Sequence, residues 1–296
     1  MSANAFLTYD TVGNRENLLD IVTDISPLET PMLSSFKKVD ASARKVEWMT
    51  YALTAAASNK AVEGADFSFS KPTDRTRVEN YTQIFTKTFE VSGTQEVVDK
   101  AGVDSEYAFR LQNALKELAR DMEYAIVNNT GTSGASGTAR ELTGVLAWLT
   151  TNVETGSGTR TEALTETMYN DLLQTVYAAG GNPDTTYANG WQKRKISGFS
   201  ANNTRNVDAS GNRLVNAVDV YESDFGIQKI VLDRYMPTDV VACLQNDMWA
   251  VATLRPVKAE EVAKVGDAMR GAVVGENTIV SYNEKASGKI TGLTTA

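Results

Sequence analysis

Apolar and polar positions change rhythm several times along the 296-residue chain, and each rhythm predicts a different element. The plainest is helical. Ala108, Leu111, Leu115, Leu118, Met122 and Ala125 recur at spacings of three and four, with Arg110, Lys116, Glu117, Arg120 and Glu123 mostly between them. This predicts a helix over residues 105–129, capped by Asp104 or Ser105 and stopped by Asn128 to Gly131. At about 1.5 Å per residue it is a rod of roughly 37 Å. A second helix is predicted from Thr165 to Ala179, with Thr165 as its cap and Gly180 and Gly181 as its end.

Two other stretches read as strands. Arg44 to Leu53 is rich in β-branched and aromatic residues, and Thr76 to Val91 alternates. In the second run Tyr81, Gln83, Phe85, Lys87, Phe89 and Val91 share one face, while Thr82, Ile84, Thr86, Thr88 and Glu90 share the other. Between the two runs lie Ala, Ser, Asn, Gly and Asp residues with Pro72, few of them core formers. The pattern predicts a projecting hairpin with a weakly apolar tip. Because a lone two-stranded ribbon is marginal in water, it requires a partner surface. Further strands are expected at 228–232, 240–244, 249–254 and 277–282.

The remaining chain is punctuated by polar segments. Residues 131–137 and 151–159 are loop-like and flank the apolar run Leu142 to Leu149, and residues 197–216 read as an exposed loop. Residues 1–43 hold a short helical stretch, Arg15 to Ile25, followed by Ser26-Pro27 and Thr30-Pro31. A residue before proline is biased away from the helical region, so this segment reads as an arm that runs extended after one helical piece.

Composition narrows the chemistry. The chain has no histidine, which removes the commonest general base and metal ligand and every Ser-His or Cys-His nucleophile. Its single cysteine, Cys243, lies in an apolar strand and reads as a buried small residue. Gly131, Gly134 and Gly137 are followed by no Gly-Lys-Ser/Thr and do not make a phosphate loop. The carboxylates, Glu260 and Glu261 included, show no spacing that sets two acids across a substrate. No catalytic residue, cofactor or metal site is therefore expected, although an enzyme working with carboxylates alone stays a competing class. A net charge of -8 argues against a surface that grips nucleic acid as a whole. The compact basic cluster Lys193, Arg194 and Lys195, beside Trp191, could touch phosphates and stack on a base; a solvated strand edge or an intersubunit salt-bridging patch is the preferred reading. Neither a membrane-spanning run nor a signal peptide is legible.

Three segments in fixed order, Thr11 to Pro31, Glu47-Trp48 and Asn80 to Thr94, resemble the N-terminal half of tailed-phage major capsid proteins of the Hong Kong 97 fold. The similarity continues through Glu117 to Glu123, Leu142 to Gly144, Asp224 to Gly226, Arg234 to Pro237, Leu254 to Pro256, Val265 to Asp267 and Asn283 to Leu293. It implies an α+β capsid fold with an N-terminal arm (1–43), an extended β-hairpin loop (44–92) and a peripheral domain (93–164) built on the 105–129 spine helix. An axial domain (165–245) and a return to the peripheral domain (246–296) complete the implied order.

The implied function is a shell subunit that forms hexamers and pentamers of an icosahedral phage head enclosing double-stranded DNA. A shell subunit of an encapsulin-like cellular nanocompartment is the alternative. Implied partners are copies of the chain itself, possible separate scaffolding, portal and decoration proteins, and packaged DNA through weak non-specific contact; no membrane is involved. The implied location is the virion, after the host cytoplasm. Candidate inter-subunit contacts are Pro27, Pro31, Trp48, Phe67, Phe69 and Phe85. Some relatives begin with a long helical scaffolding segment, whereas nothing of that length precedes Thr11 here, so scaffolding is expected to come from elsewhere. Some relatives also cross-link a hairpin lysine to a neighbour's asparagine; Lys60 and Lys71 sit among polar residues, so a non-covalent shell is expected.

Overall fold

The computed structural model describes residues 29–64, 66, 69, 71–98, 102–155, 162–199, 220–264 and 266–295. The helical part of the arm, and Pro27 and Phe67 among the candidate contacts, lie outside them.

The first element of the described residues is α1 (Pro31–Ser35), a single turn with proline at its first position, where a missing N–H costs nothing. The extended path expected here is thus interrupted by a helical turn before β1 (Lys37–Asp40). Next come β2 (Lys45–Thr50), β3 (Thr76–Tyr81), β4 (Gln83–Ser92) and the short α2 (Gly93–Val97). The long helix is α3 (Glu106–Asn128); Ser105, not Asp104, caps it by accepting from the Ala108 N–H. There follow β5 (Thr130–Thr132), β6 (Glu141–Thr143), α4 (Val145–Trp148), β7 (Val153–Thr155), α5 (Glu166–Ala178), β8 (Thr185–Ala188) and α6 (Gly190–Phe199). The last part is mostly strand, with short 3-10 turns at Asn246–Met248 and Glu284–Ala286: β9 (Val220–Ser223), β10 (Gly226–Leu232), β11 (Val241–Leu244), β12 (Trp249–Val262), β13 (Ala268–Ser281) and β14 (Gly288–Thr291).

Two sheets organise these elements. The first is four-stranded, in the order β1-β12-β13-β4, with β1 parallel to β12 and the other pairs antiparallel. The alternation read from the sequence holds over β4, where Phe85 and Val91 are buried and Gln83, Lys87 and Phe89 half-buried. This face meets α3, whose buried stripe runs through Ala114, Leu118, Met122, Ala125 and Ile126. Leu115, expected in the stripe, points outward, one position off the Ala114 row. Pro256 cannot donate to a ladder, and the β12–β13 register shifts on both sides of Arg255, the second shift spanning Pro256.

The second sheet is six-stranded, in the order β7-β14-β11-β8-β10-β9. Its central strands β8 and β11 are buried on both faces. Ala242 and Leu244 of β11 enter the core of α3, Trp249 and Met32, whereas Val241 and Cys243 enter a second core with Tyr169, Leu172, Leu173 and Ile230. The sheet is therefore a wall between two cores. Cys243 is fully buried, as its setting suggested, and burial pushes its thiol up to about 11.

β14 joins the second sheet, so the C-terminal stretch paired in the first sheet ends at Ser281. The two-stranded ribbon is β2 with β3 and stops at Tyr81, because β4 belongs to the first sheet.

Candidate assembly surfaces

The ribbon leaves the body at a polar knot. Asn80 is buried; its Nδ2 donates to the carbonyls of Ile279 at 2.8 Å and Thr143 at 3.2 Å, while Oδ1 accepts from the N–H groups of Thr143 and Tyr81, both at 2.9 Å. Beside it the Thr82 hydroxyl donates to Glu276 at 2.6 Å and the Thr82 N–H to the Arg44 carbonyl at 2.8 Å. The buried Glu276 is shared by two guanidiniums, Arg140 and, at 3.0 Å, Arg255. A buried carboxylate with three donors is satisfied, so the knot fixes the angle at which the ribbon departs.

Further out the ribbon relies on surface pairs. Lys45 bridges Glu47 and Glu79, which hold its ammonium above the usual lysine range, chiefly through the Glu79 bond. Trp48 meets Trp148 of the body with ring centres 5.6 Å apart and planes tilted by 47°, and packs with Val46 on Ala250, Ala252 and Val280. From Tyr51 to Arg75 every described residue is exposed, with Leu53, Val62 and Phe69 offering apolar surface that this chain does not cover. Where ribbon meets body, an open groove of roughly 770 Å³ is lined by Met49, Tyr51, Trp148, Tyr282 and Lys285, among others.

The candidate contacts from the sequence thus separate. Phe69 is 95% exposed at the tip, Trp48 is half-buried at the ribbon's base, and Pro31 is half-buried at the start of α1. Phe85 is a correction: at 5% exposure it packs in the chain's own α3 core and has little left for a neighbour. The basic cluster is also corrected, since Lys193, Arg194 and Lys195 lie on α6 and not on a strand edge. Arg194 and Lys195 each stand 5.6 Å from the Trp191 ring, which satisfies part of their charge locally.

Sequence patterning missed Asn80, Thr82, Glu276 and Arg140, and also Glu123, which is buried on α3 and accepts from the N–H groups of Met32 and Leu33. A faint signal existed at the knot: Asn80 and Thr82 are polar residues side by side with the strongest strand pattern in the chain. Among the described residues no group of three or more carboxylate or thiol side chains is placed to hold a metal ion, and no helix is long and apolar enough to cross a membrane.

Comparison with known proteins gives a consistent answer. Residues 4–294 match the family model described as SU10 major capsid protein. The major capsid protein of Escherichia phage Phieco32 is 24% identical, aligned over 96% of this chain and 95% of its own length. Among solved structures, the cyanophage A-1(L) capsid asymmetric unit superposes with a TM-score of 0.74 at 14% identity, covering 97% of this chain and 98% of that one. Microbacterium phage Oxtober96 gives 0.67 at 14% identity, over 94% and 96%. An encapsulin complex from Synechococcus elongatus gives 0.61 at 10% identity, over 96% and 93%. The mixed helix-and-sheet architecture is the capsid fold that the sequence resemblance implied.

Proposed function

The chain belongs to the SU10 major capsid protein family, and from that premise we infer how it assembles. It is the structural subunit of a phage head. Its copies group into hexamers and pentamers that close an icosahedral shell around double-stranded DNA, and the role requires no catalysis or cofactor. Residues 1–43 act as an arm, the ribbon as an extended loop over a neighbour, α3 as the spine of a peripheral domain and 165–245 as an axial domain. Scaffolding, portal and decoration proteins are separate partners, and packaged DNA meets the wall only through weak contact, in keeping with the net charge of -8.

One observation carries this reading: a ribbon whose described tip residues are all exposed cannot be ordered by the chain's own core, so its ordering surface belongs to another copy. Mass measurement at rising protein concentration is expected to show capsomers or shells, and the same particles boiled on a denaturing gel should run as one band near 32.1 kDa. Monomers at every concentration would contradict self-assembly; a ladder of dimers to hexamers under reducing conditions would contradict a non-covalent shell. Likeness to the encapsulin shell supports a cellular compartment as the second reading, which particle contents distinguish.

A further inference from the structure

Glu123 sits fully buried in the C-terminal third of α3. Both of its oxygens face the start of α1: Oε1 accepts from the Met32 N–H at 2.7 Å and Oε2 from the Leu33 N–H at 2.8 Å. Met32 and Phe36 are themselves buried against the same core, so the turn closes over the carboxyl like a cover.

The groups around it offer no compensating cation. From the turn after β10 comes Asp233, buried, with Oδ1 accepting from the Tyr235 N–H at 2.8 Å and Oδ2 without a partner. From β8 comes the Tyr187 hydroxyl, bonded to Ser35 at 2.6 Å and Asn246 at 3.3 Å; burial pushes it up to about 12, so it is neutral. On α3 itself Arg120 is turned to the Tyr235 hydroxyl at 3.1 Å, and Arg234 pairs with Glu29 at 3.3 Å. Among the described residues no lysine or arginine bridges Glu123.

We propose that docking of residues 29–36 onto the long helix is coupled to proton uptake by Glu123, so that this segment is latched in acid and loosened as the pH rises to neutral. Undocking uncovers the carboxyl to water, where it titrates near the ordinary 4.5. Docked, burial raises it to about 7, opposed by the two N–H bonds and assisted by the charge of Asp233. A carboxyl raised in the docked state contributes stabilisation that is complete below 4.5 and is lost as pH climbs through about 7. Above that, docking holds a buried charge with no cation. The neutral carboxyl still has a lone pair on each oxygen for the two N–H groups.

Hydrogen exchange by mass spectrometry on the full-length, unassembled chain tests this, with rates corrected for their intrinsic pH dependence. Protection of the 31–36 amides is expected to fall roughly fifty-fold between pH 5 and pH 7.5 and to level off above. In Glu123→Gln, which cannot ionise, the curve should be flat. In Asp233→Asn, which removes the nearby charge, the fall should move to lower pH. Equal protection of the unaltered chain across this range would overturn the proposal, as would the same fall in Glu123→Gln. Should that variant not fold, the Asp233→Asn curve decides: shifted supports the latch, unshifted overturns it.

Discussion

Deleting residues 56–74 should abolish closed shells while leaving the subunit folded. The described residues of this stretch are exposed and none belongs to a core cluster, so their loss removes no intrachain packing. The strands that anchor the ribbon, Lys45–Thr50 and Thr76–Tyr81, remain, together with the Trp48–Trp148 contact. What disappears is the apolar surface of Val62 and Phe69, which this chain leaves uncovered. Circular dichroism and particle counts, measured on one preparation, check both halves of the prediction. A near-native spectrum with few or no closed particles is expected; loss of the spectrum would place the tip inside the fold, and unchanged particle numbers would deny it an assembly role.

Glu276→Ala is expected to be the most damaging single substitution at the ribbon's root, costing about 3 kcal/mol of subunit stability. The carboxylate is buried and answers Arg140, Arg255 and the Thr82 hydroxyl together. Its removal leaves the partly buried Arg140 without its anion and Thr82 with only the Arg44 carbonyl, at 3.1 Å, as acceptor, and a buried charge left unpaired costs more than a surface pair gains. Arg255, half in water, contributes little to this loss. Denaturant unfolding of the isolated subunit would show the midpoint fall; a change below about 1 kcal/mol would mean that the knot is not a stabilising centre.

Much of the fold was legible because it rests on local rules. The α3 period, its Ser105 cap, the Thr165 cap of α5 and the alternation of β4 are all short-range consequences of side-chain spacing. What local rules could not show is which strand pairs with which. Phe85 has the same alternation whether its partner is a neighbour or β13, and only the tertiary pairing of β4 with β13 buries it at home. For the same reason local spacing does not show where the β2–β3 pairing gives way to the first sheet: Thr82, at that point, bonds Glu276, 194 residues later. Glu123 was unreadable on similar grounds, since a charged residue one step from Met122 belongs to the solvated face by spacing alone, and it is α1 that covers it. The strand-edge part of the reading for Lys193, Arg194 and Lys195 fails because a short basic run has no period of its own, whereas Asn189 caps α6 by accepting from the Trp191 and Gln192 N–H groups.

The most direct test of the account is an electron micrograph of the purified, self-assembled protein. Closed angular shells with hexameric and pentameric capsomers are the predicted result, with the exposed tip ordered against an adjacent subunit. Dispersed monomers under every ionic condition, or closed cages in which the tip touches no neighbouring copy, would contradict it.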